Sequence, residues 1–265
     1  KDKPKMPPLL KISNLGISLQ GDLSSRTLLK NINLDLNQEE IVALVGSSGG
    51  GKTSLGLSIL QLLPYAMRVD EGSIFFHERN LLELNSLQIR DVRGKDIGMI
   101  FQDSLSAFNP VFRIGDQIAE VLQAHLNFSK QKASGRVLEL LDLVEIRDVK
   151  RVAASYPHQL SGGLRQRAMI AQAIAASPSL VIADEPTSNL DVTIQAKILG
   201  LFKKIKTEMH LSILLITHDL GVVRFVSNRV FILSQGQIVE SGNAQTVLDA
   251  PAHDFTKKLM KAINI

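Results

Sequence analysis

One glycine-rich stretch restricts the possible folds of this chain more than any other, and it reads Gly46-Ser47-Ser48-Gly49-Gly50-Gly51-Lys52-Thr53. It matches the pattern G-x-x-x-x-G-K-[ST] and follows an apolar run at residues 41–45. A helical pattern comes after it and extends towards Pro64 through Leu55, Ile59 and Leu62. In such a strand, loop and helix, backbone N–H groups wrap phosphates, the Lys52 ammonium reaches the β and γ oxygens, and the Thr53 hydroxyl can ligate Mg²⁺. The stretch therefore predicts an α/β fold with a phosphate site.

A second motif predicts another anion site. The small-residue turn Ser161-Gly162-Gly163 opens a helix whose next residues include Arg165 and Arg167. A helix start presents unpaired N–H groups and the positive end of the helix dipole, so anions bind there. We therefore expect this turn to contact a phosphate as well.

Two acids follow that helix at the tip of a predicted strand. After Pro178, the apolar run at residues 180–183 ends in Asp184 and Glu185, and Pro186 stops the strand before a turn at residues 188–191. A buried strand that delivers carboxylates at its C-terminal end stands where open α/β sheets bind ligands. An anion site and an acid pair so close in sequence indicate a phosphate compound and Mg²⁺.

Together these motifs resemble those of the nucleotide-binding subunits of ABC transporters. LSGGLRQR at residues 160–167 resembles the signature motif, LVIADE at 180–185 the Walker B strand with its catalytic glutamate, SNLD at 188–191 the D-loop, and ITHDL at 216–220 the segment with the switch histidine. A closer resemblance, to the oligopeptide, dipeptide and nickel importers, is carried by FQDSLSAFNP, YPHQLSGG, IADEPTSNLDVTIQ, ITHDLGVV and PAHDFT. The resemblance covers residues 8–262.

The resemblance implies a P-loop NTPase of the ABC ATPase architecture, with a mixed RecA-like core, an antiparallel β-subdomain and a helical subdomain in one domain over residues 8–262. The implied bounds are 8–40 plus 73–76 for the β-subdomain, 41–62, 97–102 and 177–240 for the core, 103–176 for the helical subdomain, and 243–265 for a C-terminal helical segment. The sequence patterns agree, because residues 9–19 alternate as a strand does and apolar residues recur at helical spacing between residues 115 and 156.

The resemblance also implies the roles of individual residues. Glu185 would polarise the attacking water, His218 would contact the γ-phosphate, and Gln102 would contact Mg²⁺ or the water. The Mg²⁺ ligands would be Thr53, Gln102 and Asp184. ATP would be bound by the eight residues of the glycine-rich stretch in one subunit and, across a head-to-tail pair, by Ser161, Gly162, Gly163 and Asp191 of the other.

Two positions depart from the family pattern. Leu19 stands where the family usually presents an aromatic side chain to the adenine, so we expect the ATP and GTP affinities to lie within about tenfold of each other, or 1.4 kcal/mol. Glu39-Glu40 replaces a usual Gly-Glu pair before the phosphate-loop strand. A non-glycine residue must then hold that turn, at some strain.

The resemblance implies an ATPase subunit that powers import of peptides, or of nickel or metal chelates, across the bacterial inner membrane. Its partners would be two transmembrane permease subunits, a second ATPase subunit in a homo- or heterodimer, and indirectly a periplasmic or extracellular substrate-binding protein. The chain would lie peripherally on the cytoplasmic face of the membrane. Residues 104–113 would line a groove for a short helix of the permease.

Other functions have specific features that count against them. A DNA-repair ATPase would carry a long coiled coil between Thr53 and Leu160, but the intervening segment is too short to contain one. A translation ATPase would have two cassettes in one chain, and this sequence has no internal repeat. A non-catalytic module would have lost Glu185 or Lys52. An ATPase of an exporter or of a lipoprotein-release system remains the principal alternative, against which the importer-like segments argue.

Composition limits the remaining possibilities. The 265 residues are 45% hydrophobic, which is enough for a large core, and the absence of cysteine excludes disulfides and thiolate metal sites. The net charge of +4 comes without a basic run, and two tyrosines with no tryptophan give little surface for base stacking, so we expect no nucleic-acid partner. No apolar run approaches the ~20 residues of a membrane-spanning helix.

Overall fold

The computed structural model describes residues 7–21, 25–188 and 190–263. It divides into two compact units: one runs to Arg90 and resumes at Ser212, and the other is Asp91–Leu211. The described strands are β1 (Leu10–Gln20), β2 (Ser25–Leu36), β3 (Ile41–Gly46), β4 (Met67–Phe76), β5 (Arg79–Asn80), β6 (Ile97–Ile100), β7 (Leu180–Asp184), β8 (Ser212–Thr217), β9 (Arg229–Ser234) and β10 (Gln237–Asn243).

The described α-helices are α1 (Lys52–Ile59), α2 (Ser86–Val92), α3 (Ser104–Ala107), α4 (Ile114–Leu126), α5 (Lys130–Leu143), α6 (Val149–Ala154), α7 (Gly162–Ala173), α8 (Val192–Glu208), α9 (Leu220–Val226), α10 (Ala244–Asp249) and α11 (Asp254–Ile263). Short 3₁₀ helices lie at Leu81–Glu83 and Pro157–Gln159. Strands and helices alternate along much of the chain, as expected for an α/β protein.

The first unit contains an antiparallel sheet in the order β2-β1-β4-β5. The alternation predicted for residues 9–19 is confirmed as strand β1, in which Leu10, Ile12 and Ile17 are buried. Leu19, near the end of β1, lies opposite Arg26 of β2 and Met67 of β4.

The same unit contains the strands that carry the phosphate loop. β3 pairs in parallel with β8 on one side and with β9 on the other, and β10 pairs antiparallel with β9. Every residue of β3 and β8 is buried, as expected for parallel strands covered on both faces. Val45 lies opposite Thr217, so β3 and β8 end at the same edge.

The second unit joins a pair of strands to a helical region. β6 and β7 are parallel, with Ile100 opposite Ala183. The helical spacing predicted between residues 115 and 156 is confirmed by α4, α5 and α6. Ile118, Leu122 and Leu140, which belong to that spacing, are fully buried.

The phosphate-loop helix ends earlier than its sequence pattern predicts. Helix α1 stops at Ile59 rather than near Pro64, because Gln61 takes a left-handed conformation with φ 51°. The Leu62 N–H then donates to the Leu57 carbonyl at 2.9 Å, which closes the helix end. Leu62 therefore lies outside the helix, and its side chain is partly exposed.

The strain expected at the Glu39-Glu40 pair is confirmed. Glu39 has φ 54°, the left-handed region that favours glycine. Its N–H donates to the Ser212 hydroxyl at 2.8 Å. The buried Glu40 carboxylate accepts hydrogen bonds from the Asn37 N–H at 2.9 Å and from the Asn37 side chain at 3.0 Å. These contacts offset the cost of the left-handed residue and hold the turn that leads into β3.

Arg229 forms hydrogen bonds that connect β9 to the end of β2 and to Glu40 in this turn. Its guanidinium donates to both carboxylate oxygens of Asp35, at 2.9 and 3.0 Å, and to Glu40 at 3.4 Å. The hydrogen bonds with Asp35 are the main reason that the pKa of Arg229 lies above its ordinary value. The Arg229–Asp35 pair is bidentate and only 27% of the arginine side chain is exposed. The pair should therefore stabilise the fold more than a surface ion pair does.

We expect Arg229→Gln to lower the free energy of unfolding by about 1.5–3 kcal/mol, the range for hydrogen bonds to charged groups. The matched control is Arg68→Gln, which removes the more exposed Arg68–Asp70 pair and should cost less than about 1 kcal/mol. Urea unfolding of both variants measures the difference. Equal losses would show that the Arg229 network adds nothing beyond a surface pair.

Candidate active site

The glycine-rich stretch forms an exposed loop between β3 and α1. Ser47, Ser48 and Gly49 are exposed, so their backbone groups are open to a ligand. Gly51 is the N-cap of α1 with φ 94°, and a Cβ there would lie 2.6 Å from a methyl group of Leu29. Glycine is therefore required at this position both by conformation and by space.

Lys52 is held against this loop. Only 7% of the residue is exposed, and its ammonium donates to the carbonyls of Gly46 at 2.9 Å and Ser47 at 3.0 Å. The ammonium is thus fixed beside the loop backbone, so a phosphate bound by the loop N–H groups would lie close to its charge. Thr53, the next residue, is exposed in the first turn of α1.

The first unit brings His218 to the same sheet edge as the loop. β3 and β8 are neighbouring parallel strands, and His218 follows the last residue of β8 as Ser47 follows the last residue of β3. His218 is exposed. The next residue, Asp219, caps α9 by accepting from the Gly221 N–H at 2.8 Å, which fixes the turn that carries the histidine.

The second unit brings the predicted acids and Gln102 to one sheet edge. Asp184 ends β7 with only 2% exposure, and Glu185 follows it with 8% exposure. Gln102 lies two residues beyond the end of β6 and is exposed. Since β6 and β7 are parallel neighbours in register, both segments leave the sheet in the same direction.

Glu185 has an unusual backbone conformation. Its φ is 46°, so a non-glycine residue occupies the left-handed region directly after the strand. The Ser188 N–H and hydroxyl both donate to the Glu185 carbonyl, at 3.1 and 2.8 Å, and so stabilise the turn. Strained residues of this kind concentrate at functional sites, where surrounding contacts fix an orientation that the local sequence disfavours. The sequence did not predict this strain.

The turn of the signature motif, at residues 161–163, has a serine hydroxyl that does not cap its own helix. Ser161 is the N-cap of the twelve-residue helix α7, and its side chain makes no capping hydrogen bond. It is exposed, so the hydroxyl and the first N–H groups of the helix are available to a ligand. Gly163 is constrained by Ile194, because a Cβ there would lie 3.0 Å from a methyl group of that residue.

The two arginines of the signature helix make contacts within their own unit. Arg165 donates to the Leu160 carbonyl. Arg167 donates to the Val144 carbonyl at 2.6 Å and to Glu145 at 3.1 Å, and only 11% of its side chain is exposed. The sequence predicts anion binding at the helix start and assigns no role to these two arginines. In the structure, both guanidinium groups hold segments around α7.

Asp191 serves as a helix cap. Its carboxylate accepts from the Ile194 N–H at 2.9 Å at the start of α8, and the residue is exposed. Asn189, the second residue of the D-loop-like turn, lies outside the described residues. The predicted contact of Asp191 with nucleotide therefore stays a prediction.

The residues predicted to bind Mg²⁺ do not belong to a cluster of metal-binding side chains. Across residues 7–21, 25–188 and 190–263, the structure has no group of three or more His, Asp or Glu side chains that could hold a metal ion. Mg²⁺ commonly uses one or two protein ligands together with substrate phosphates and water. Thr53, in the first unit, has an exposed hydroxyl, and Gln102 and Asp184, in the second unit, have an amide and a carboxylate oxygen at or near strand ends. That these three residues bind one Mg²⁺ stays a prediction.

An apolar surface accompanies Gln102. Phe101, Leu105, Val111 and Phe112 each expose 40–70% of their surface within one twelve-residue segment. The sequence placed a partner groove at residues 104–113, but Phe101 was not included in it. None of the described helices combines the length and hydropathy that a membrane crossing requires.

Comparisons with known proteins agree with this geometry. The family model for ABC transporters matches residues 29–188. The probable peptide ABC transporter ATP-binding protein y4tR of Sinorhizobium fredii is 44% identical over 264 residues, covering 99% of this chain and 79% of that protein. The glutathione import ATP-binding protein GsiA of Escherichia coli K12 is 41% identical over 261 residues, which is 96% of this chain but only 42% of GsiA.

Solved structures confirm the predicted fold class. The ATP-binding cassette MJ0796, in a dimeric post-hydrolysis state bound to ADP and Pi, superposes with a TM-score of 0.80 at 29% identity, over 89% of this chain and 98% of that one. The cbiO1 protein of Clostridium perfringens has a TM-score of 0.79 at 23% identity, which supports the fold alone. The family match over most of its length and the near full-length relative show that this chain belongs to the ABC transporter family, as one of its ATP-hydrolysing members.

Proposed function

We propose that this ATPase powers the import of peptides through a membrane permease. The observation that carries the proposal is the 44% identity, along nearly the whole chain, to a protein named as a probable peptide transporter ATPase. The similarity to the glutathione import ATP-binding protein also supports a peptide cargo, since glutathione is itself a small peptide. Nickel or a metal chelate remains the alternative cargo.

The first unit supplies the phosphate cradle in this proposal. Backbone N–H groups from Gly46 to Gly51 bind the β- and γ-phosphates, and the fixed ammonium of Lys52 balances their charge. Thr53 provides a hydroxyl ligand for Mg²⁺. When bound, Mg²⁺ would supply positive charge that neutralises the negative charge developing on the transferred phosphoryl group. His218 donates a hydrogen bond to the γ-phosphate.

The second unit supplies the groups that act on water. Glu185 would polarise the attacking water as general base, from a backbone in the left-handed region at the end of β7. Asp184 would help to hold Mg²⁺ through its hydration shell. Gln102 would contact the metal or the attacking water and would move with the segment that follows it.

A second copy or a related subunit completes the site. The hydroxyl of Ser161 and the N–H groups up to Gly163 would cap the γ-phosphate held by Lys52 of the opposite subunit, with Asp191 nearby in the same interface. The dimeric state of MJ0796 with ADP and Pi supports such a pair.

The exposed apolar segment would contact the permease. Phe101, Leu105, Val111 and Phe112 offer apolar surface beside Gln102, and a short helix of a permease subunit is a suitable occupant. Through this contact the chain would lie on the cytoplasmic face of the inner membrane, with a substrate-binding protein acting on the other side. The proposal also includes a single ABC ATPase domain over residues 8–262, with the subdomain bounds that the resemblance implies.

Peptide uptake by a bacterial strain that lacks the gene for this ATPase tests the proposed function. We expect wild type to restore uptake of labelled di- and tripeptides, Lys52→Ala to fail because phosphate binding is lost, and the control Lys150→Ala, an exposed lysine of α6, to behave as wild type. Restored uptake of labelled nickel without peptides would contradict the cargo. Peptide uptake that survives Lys52→Ala would contradict the role of this ATPase in import.

A further inference from the structure

Tyr65 is a fully exposed aromatic side chain in the first unit. It lies in the turn between α1 and β4, which is closed by the Met67 N–H donating to the Pro64 carbonyl at 2.8 Å. A single exposed aromatic is common on protein surfaces and indicates nothing alone.

The turn is tied both to β1 and to the phosphate-loop helix. The Gln20 N–H donates to the Ala66 carbonyl at 2.7 Å, and Leu19 lies opposite Met67. The Ser54 hydroxyl in turn contacts the Met67 sulfur at 3.6 Å. Ser54 directly follows Thr53, so a chain of contacts connects the turn of Tyr65 to the first turn of α1.

A nucleotide bound through its phosphates needs a surface for its base. Leu19 is 38% exposed at the end of β1, but it offers only van der Waals area. An aromatic ring stacks on any base through its π-face, and needs no hydrogen-bond partner to do so. Tyr65 is the exposed aromatic ring on the turn that pairs with the end of β1.

We propose that Tyr65 is the base-stacking residue of this chain. Its ring packs on the purine of the nucleotide whose phosphates lie on the loop from Gly46 to Thr53, so this inference rests on the phosphate placement in the proposed function. Stacking does not distinguish bases strongly, so ATP and GTP should benefit alike. The inference is therefore compatible with the tenfold limit expected from Leu19.

Titration calorimetry with ATP, GTP and inorganic tripolyphosphate tests the proposal. Loss of one stacked base contact should weaken binding of both nucleotides by about five- to 150-fold in Tyr65→Ala. Tripolyphosphate has no base, so its affinity should not change. Tyr65→Phe should bind as wild type, and so should the control Leu87→Ala, which removes an exposed apolar side chain of α2.

Fluorescence gives an independent reading, because the chain has no tryptophan. Tyr65→Trp places the sole indole on the turn, and its emission should change with ATP but not with tripolyphosphate. Unchanged ATP affinity in Tyr65→Ala would overturn the stacking role. Unchanged ATP affinity in Lys52→Ala would instead overturn the phosphate placement, and the inference with it.

Discussion

Glu185→Gln is expected to lower ATP turnover by about 10²–10⁴-fold while ATP binding is retained, the range for loss of a general base. The amide keeps the size and shape of the side chain but cannot accept the proton of the attacking water. The turn should survive, because Ser188 donates to the backbone carbonyl of Glu185 and not to its side chain. A filter-binding assay with ATP and a phosphate-release assay measure the two quantities.

Glu120→Gln is the matched control, since Glu120 is an exposed glutamate of α4 in the same unit. It should hydrolyse ATP at the wild-type rate. Wild-type turnover in Glu185→Gln would show that another group activates the water. A loss of ATP binding in that variant would instead indicate that the carboxylate supports the fold of the site.

ATP is expected to drive dimerisation, and Ser161→Arg to abolish it. The γ-phosphate would satisfy the N–H donors from Ser161 to Gly163 that otherwise face water, so closure depends on nucleotide. The protein should be mostly monomeric when empty or with ADP, and dimeric with Mg-ATP in the Glu185→Gln background. An arginine at residue 161 adds bulk at the helix start and excludes the phosphate.

The structure supplies a sharp control for this experiment. The Ser161 side chain makes no capping hydrogen bond, so replacing it should not unfold α7. Ser161→Ala removes only the hydroxyl and should keep most of the ATP-driven dimer. Sedimentation of these variants with and without Mg-ATP decides the matter: a dimer that persists in Ser161→Arg would contradict the shared site, and a stable dimer without nucleotide would indicate a different interface.

The sequence by itself determined the family, the phosphate loop and the main secondary structure. Gly51 illustrates why: a loop that wraps phosphates needs a left-handed residue directly before the helix, and the pattern records that need at fixed spacing. The buried parallel strands β3 and β7 could also be predicted, because a strand buried on both faces is a continuous apolar run in the sequence. Even the strain at Glu39 followed from a missing glycine.

The tertiary structure alone decided features that depend on distant partners. Arg167 donates to Val144 and Glu145, which lie far from it in the sequence, and α1 ends at Ile59 although apolar spacing continues. The strain at Glu185 has no sequence signal, since glutamate rarely occupies that conformation. The position of Tyr65 beside β1 depends on the pairing of Leu19 with Met67. Such pairings join residues far apart in the chain, and local patterns carry no record of them.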